Sequence, residues 1–247
     1  MHDLMQLLRA AAASLALFAA GSALAGCGGS GAASGIGTPH AKSPITKEQA
    51  VAFAKAVNLR AADLPDMRAT TPEHERGTMP EDRQLARCDG GVDPYRRIAQ
   101  IHSAAFTGVS EGELERIGSE VELMPTAALT AQNNGAVRSP RGLKCVAHLL
   151  TQEVAHERTG KARYGSVTIS KLATPLPGVD ETFQYRITTT ITAGLRRIPL
   201  YIDLLGFVAG PAEVDVTAIG APQPASTEAE QRLLSLLYSR AEAHKLA

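Results

Sequence analysis

Three cysteines, Cys27, Cys88 and Cys145, are the residues of this 247-residue chain with the best-defined chemistry. In a secreted protein an odd count leaves one thiol free, joined to another chain or modified. The other candidates are weaker. His148 and His156 share a helical face with Gln152 and suggest a metal pair, but eight residues span about 12 Å of helix, too far for one ion without further ligands. Cys145 and His148 have the spacing of a thiol and imidazole couple, yet no third group is available to orient the imidazole. Asp63 and Asp66, on either side of Pro65, are read as a polar loop end rather than paired carboxylates. His74 stands in a charged Pro-Glu-His-Glu-Arg run with no spaced ligand partner, and a solvated loop over residues 72–94 explains it. The chain carries no Gly-x-Ser-x-Gly elbow, phosphate loop, zinc motif or dinucleotide fingerprint. No catalytic, metal-binding or cofactor-binding residue is assigned, and no cofactor is expected.

The setting of Cys27 is more informative than its count. His2 and Arg9 precede an apolar run of Ala, Leu, Phe and Ser that ends in Leu24-Ala25-Gly26-Cys27, and a Gly/Ser tract follows at once. A mildly basic start, an apolar stretch and small residues form a secretion-signal pattern. A membrane span needs about 20 apolar residues, usually with charged flanks, and the Gly/Ser tract begins too early for one. Leu-Ala-Gly-Cys resembles the bacterial lipobox. The resemblance implies diacylglyceryl transfer to the Cys27 thiol, cleavage before it and acylation of the new amino terminus. Several acyl chains, at about 0.8 kcal/mol per buried methylene, anchor far more firmly than one.

Residues 1–26 are thus expected to be a signal peptide, 27–44 a lipidated cysteine with a flexible linker, and 45–247 a single domain on the extracytoplasmic face of the cell membrane. With Cys27 lipidated, Cys88 and Cys145 remain as an even pair in an oxidising compartment, where a disulfide forms and persists. Closing so long a loop restricts the unfolded chain by roughly 4 kcal/mol in the entropy model.

Composition narrows the partners. Lys plus Arg and Asp plus Glu are 25 each, so no bulk field favours a polyanion. Only 4% of residues are aromatic and Trp is absent, a poor inventory for stacking bases. Nucleic acid is therefore disfavoured, and the expected partners are the membrane and an unidentified small molecule, lipid or protein.

The elements that must carry these residues follow from periodicity. Thr46 and Gln49 form a capping box, with Phe53, Ala54 and Val57 at helical spacing, which predicts a helix over 46–58. A short strand is expected at 67–71. Residues 97–106 and 114–124 read as two strands joined by a turn at 107–112. In the second, Ile117, Ser119, Val121 and Leu123 alternate with Gly118, Glu120 and Glu122, the pattern of a strand with one wet face. Helices are expected at 125–137 and at 139–155, the latter opened by Ser139-Pro140 and carrying Cys145. Strands at 166–172, 183–192, 198–208 and 212–219 are close enough in sequence to form an antiparallel meander. The two glycines of 206–210 are read as a turn. Ser226 caps a final helix with Leu233, Leu236 and Leu237 on its apolar stripe.

The order of elements, with Gly206-Phe207-Val208-Ala209-Gly210-Pro211-Ala212-Glu213-Val214 and then Leu233 to Ala241, resembles actinobacterial surface lipoproteins of the PsbP-like class. It is also similar to the extracellular sensor domains of mycobacterial receptor kinases of the PknH type. The resemblance implies an α+β fold, an antiparallel sheet sandwiched by helices, serving as a secreted scaffold that binds a ligand. The expected function is a non-enzymatic binding or sensor-like domain, with a groove between sheet and helices, or the charged loop 72–94, as its site. Two alternatives differ in testable ways. A lipid carrier requires a cavity lined by Leu, Val and Ile, and a cell-envelope hydrolase requires a Ser or Cys hydrogen-bonded to His.

Overall fold

The computed structural model describes residues 45–70, 78–110, 113–156, 162–173, 176, 179 and 181–246. The signal segment, Cys27, the linker and His74 lie outside the described residues. Helix α1 (Lys47–Val57) begins where the sequence places it: Gln49 N donates to Thr46 Oγ1 at 3.2 Å and Thr46 N donates to Gln49 Oε1 at 2.9 Å. Such a reciprocal cap satisfies two backbone donors that a helix start leaves open. Then come β1 (Arg68–Thr70), α2 (Thr78–Asp89), β2 (Ala99–His102), β3 (Ala105–Ser110), β4 (Glu113–Leu123), α3 (Ala127–Arg138) and α4 (Pro140–His156). The carboxy-terminal half supplies β5 (Ala162–Tyr164), β6 (Thr168–Lys171), β7 (Thr182–Ala193), β8 (Arg196–Ala209), β9 (Ala212–Ala221) and α5 (Thr227–Ala243).

The nine strands form one antiparallel sheet in the order β1-β3-β4-β9-β8-β7-β5, with β2 also paired to β4 and β6 to β7. The chain is therefore an α+β domain of a single sheet between two helical layers. Ile117 and Val121 of β4, Val214 and Val216 of β9, and Leu205 and Phe207 of β8 pack on one face. Phe53 and Val57 of α1 and Leu233 and Leu237 of α5 cover them. The other face presents Ile187, Ile191, Leu200 and Ile202 to Val146 and Leu150 of α4. The meander β7-β8-β9 is as expected, and its pairing to β4 joins the two halves of the chain.

Four local expectations need correction. The strand expected at 97–106 is two strands, because Ala99 lies opposite Leu123 while Phe106 lies opposite Ile117, seven steps against six. The extra residue is a bulge held by Ser103, whose Oγ accepts from Ser119 N at 2.9 Å and donates to Ala104 O at 2.7 Å. Residues 107–110 extend β3 rather than form a turn. The charged segment 72–94 contains α2, whose buried positions Asp82, Leu85, Ala86 and Asp89 follow helical spacing. Two of those four are acidic, so the apolar signal that marks a helix was halved. Gly206 lies inside β8, and only Gly210, at φ 61°, occupies the turn before β9. β5 was not expected at all; three residues are too few to show a period.

Candidate functional site

The Glu120-Val121-Glu122 segment of β4 and the Glu213-Val214-Asp215 segment of β9 pair in register, Glu120 with Asp215 and Glu122 with Glu213. Alternation sends their valines under α1 and α5 and all four carboxyls to the opposite face. Around Glu122 and Glu213, 4% and 7% exposed, that face is covered, while Glu120 at its edge keeps 19% of its side chain in solvent. The lids are α2 and α3. Helix α3 is set down by the β8–β9 turn, where Pro211 O accepts from Met124 N and from Thr130 Oγ1, each at 2.9 Å. Asn133, Asn134 and Arg138 of α3 are thereby brought over β9, and α2 adds the fully buried Asp82.

Two guanidiniums face these five carboxyls. Arg97, in the loop before β2, places Nη1 at 2.9 Å from Asp82 Oδ2 and Nε at 2.9 Å from Glu122 Oε2, with its side chain 5% exposed. Its Nη1 also donates to Gln100 Oε1 at 2.6 Å, and Gln100 Nε2 in turn donates to Glu120 Oε1. Arg138 lies over the Phe183 ring, 5.5 Å from its centroid, and donates to the backbone oxygens of Asn134 and Thr182. Burial works against the Arg97 charge, but Glu122, Asp82 and Glu120 more than offset it and raise its pKa. The carboxyls move up as well. Burial pushes Glu213 up to about 7 against the pull of Asn134 and Arg138. Glu122 stands well above its ordinary value through burial, which the Arg97 charge does not overcome. Asp215 is raised well above its own by burial and by Glu213, Glu120 and Glu122. Burial and mutual repulsion thus shift Glu122, Glu213 and Asp215 toward their protonated forms.

Beside the cluster runs a groove. Val137 of α3, Leu143 and Val146 of α4, Ile169 of β6, and Phe183 and Leu204 of the sheet form its apolar walls. Asn134, Glu213 and Asp215 form its polar end. The Asn134 side chain is buried, 1% exposed, and interacts with the Glu213 carboxyl, while Asp215 Oδ1 at the same end has no hydrogen-bond partner among the described residues. The free cavity volume is about 20 Å³, enough for one or two waters in this closed form. Gly206 keeps the floor low: a Cβ there would overlap Asp215 Oδ1, Phe183 Cζ and Val214 O. A second depression, of about 350 Å³, lies open to solvent between α1 and β2, beside Lys47, Val51, Tyr95 and Ile98.

The residues singled out from sequence fall elsewhere. Cys88 and Cys145 are joined in a disulfide with Cα atoms 5.8 Å apart, which staples α2 to α4 and removes Cys145 from any pairing with His148 as a nucleophile. His148 is exposed on α4, and the His156 side chain lies outside the described residues. Asp63 is held by Arg240 of α5 through two bonds of 2.8 and 2.7 Å, while Asp66 is exposed, so the two do not act together. Among the described residues no group of three or more His, Cys, Asp and Glu side chains is arranged to hold a metal ion, nor is any helix long and apolar enough to cross a membrane. The cluster residues were missed because one acidic alternation looks like a solvent face. The signal that points to them is the repetition of acid-valine-acid in two strands that come to pair.

No family model matches the chain, and no curated protein matches its sequence. Among solved structures, it is similar to the extracellular domain of PknH from Mycobacterium tuberculosis, with 12% identity, a TM-score of 0.44, and coverage of 82% of this chain and 100% of that one.

Proposed function

We propose that this chain is a non-enzymatic, sensor-like binding domain of the cell envelope, anchored through lipid on Cys27, which takes a small ligand into the groove beneath α3 and α4. The observation that carries the reading is the buried polar end of that groove. Asn134, Glu213 and Asp215 set buried polar atoms at the bottom of an otherwise apolar slot, Asp215 Oδ1 without a hydrogen-bond partner among the described residues, and a buried polar group left without a partner costs about 1 to 3 kcal/mol unless something satisfies it. Apolar walls with a few convergent polar groups are the usual make-up of a ligand site. The disulfide between Cys88 and Cys145 supports an oxidising compartment, and the Leu-Ala-Gly-Cys motif supports the anchor. A carrier enclosing a whole acyl chain is less favoured, because it asks for a far larger opening of a groove whose free volume is about 20 Å³ than a small ligand does. A binding event here selects an opened form, in which Leu143 and Ile169 swing aside.

The test is displacement of a neutral naphthylamine fluorophore from the purified full-length protein by short apolar compounds. The variant Ile169→Trp, at a half-buried wall position, is expected to abolish fluorophore binding while leaving the unfolding midpoint within error. Undiminished fluorophore binding in that variant, or no binding by the parent protein, rules the groove out.

A further inference from the structure

We infer that the tip of the β7–β8 hairpin is a membrane contact, with Leu195 seated among the acyl chains of an anionic bilayer and Arg163, Arg196 and Arg197 on its phosphates. This rests on the chain standing at a membrane, as proposed above, and is independent of the groove.

The β8–β9 ladder begins at Tyr201, whereas the β7–β8 ladder continues to Ala193 opposite Arg196. The hairpin therefore runs five residues past that ladder, about 16 Å at the rise of a strand. It closes in the two-residue turn Gly194-Leu195, with Gly194 at φ 61°. Leu195 is 107% exposed, so the fold covers none of it. Single apolar residues scattered over a surface are ordinary; this one stands at the outermost point of a projecting hairpin, among cations. Arg163 of β5 and Arg197 of β8 lie on either side of Thr192 of β7, opposite it in both ladders, and so share a sheet face. Alternation sends Arg196 to the other face, which places positive charge on both sides of the tip. All three arginines are exposed, and none forms an ion pair with the described residues.

Charge and apolarity together select the partner. The chain as a whole has no net charge, yet strands β5 to β8 carry Arg163, Lys171, Arg186, Arg196 and Arg197 against one acid, Asp203, which is bonded to Arg186. Guanidinium forks match phosphate oxygens, and a bare leucine between them gains by leaving water for hydrocarbon. A soluble polyanion uses the arginines and leaves Leu195 wet; a bilayer uses both. The tether permits the contact. Lys47 stands beside Ile98 and Ile101, at the end of the sheet opposite the hairpin. The chain from Cys27 to Ile45 reaches at most about 60 Å, against about 46 Å for the length of β8, so an anchored Cys27 leaves the tip within reach of the same bilayer.

The chain contains no Trp, so Leu195→Trp puts a single indole at the tip. The lipidated variant is reconstituted into phosphatidylcholine vesicles with and without phosphatidylglycerol. In the anionic vesicles alone, the indole emission is expected to shift to shorter wavelength and to be quenched by brominated acyl chains. Arg163→Gln, Arg196→Gln and Arg197→Gln together are expected to remove the shift, as is high salt. Val109→Trp, at a 57% exposed site across β4 and β9 from the hairpin, is expected to keep the emission of an indole in water. A shift that persists when Leu195→Trp protein also carrying Cys27→Ser is mixed with anionic vesicles supports the tip contact even where the anchor fails. Solvent-like emission of the tip indole in both vesicle types, an equal shift in neutral vesicles, or a shift that survives the triple change overturns the inference.

Discussion

Glu122 and Glu213 lie directly opposite one another across the β4–β9 ladder, two buried carboxyls in a position where sheets ordinarily avoid like charges. Arg97 is bound to one of them, and burial shifts both toward the protonated form, which lowers their repulsion. It converts a charge conflict into a dependence on pH.

That dependence has a defined sign. Glu213 is raised from 4.5 to about 7, and Glu230 of α5 to about 8 by burial and by the neighbouring Asp203, with which it shares a hydrogen bond. An acid with a raised folded pKa binds more protons folded than unfolded, so its contribution is complete below about 4.5 and is lost as pH climbs through the folded value. Stability is expected to fall between about pH 5 and pH 8, on the order of 1.4 kcal/mol per pH unit for each group still titrating. Urea midpoints at three pH values check this, with Glu213→Gln and Glu230→Gln each flattening the profile. A midpoint that rises toward pH 8 contradicts it.

Arg97 holds two elements together through carboxyls that have no access to water. Its replacement by Met takes from Asp82 and Glu122 the cation they share, a loss of about 3 to 5 kcal/mol for a broken buried pair. The triple change Arg97→Met, Asp82→Asn, Glu122→Gln is expected to recover much of that, because the desolvation cost goes with the charges. Denaturation curves of both variants provide the measurement, and a single-variant loss under about 1 kcal/mol would place the network at the surface energetically.

Gly206 has no room for a side chain. Alanine there meets the Asp215 carboxylate, the Phe183 ring and the Val214 carbonyl, two of which are backbone or ring atoms with little freedom. Gly206→Ala is expected to lower stability by about 1 to 3 kcal/mol, as overpacking does, and to weaken fluorophore binding in the groove beyond the fraction unfolded. A variant of parental stability and affinity would show that the floor can shift.

Cys27→Ser is expected to move the protein from the membrane fraction to the soluble one, or to block its processing. Unchanged sedimentation with membranes refutes the anchor. Non-reducing peptide mapping of the same preparations should return Cys88 joined to Cys145.

The elements with a strong local period were readable in advance. α1 with its Thr46 and Gln49 cap, the β7-β8-β9 meander and α5 behind Ser226 stand where their alternation and capping residues place them. Periodicity reports which side chains share a face and says nothing of what lies across that face. Glu120 and Glu122 were placed on the correct side of β4, but that α2 and α3 cover Glu122 there is not written in the alternation of the strand.

The chemistry of single residues and of near neighbours is a property of the chain: the lipobox-like motif, the even cysteine pair, the caps and the strand alternation all depend on contacts within a few residues. The carboxyl cluster depends on pairing β4 with β9, whose register joins residues about ninety positions apart. Charge repulsion between Glu122 and Glu213, the Arg97 bridge that restrains it and the groove beside it exist only once that long-range pairing is made. No local pattern encodes them, because the sheet forms to bury the valines between the acids and carries the acids along.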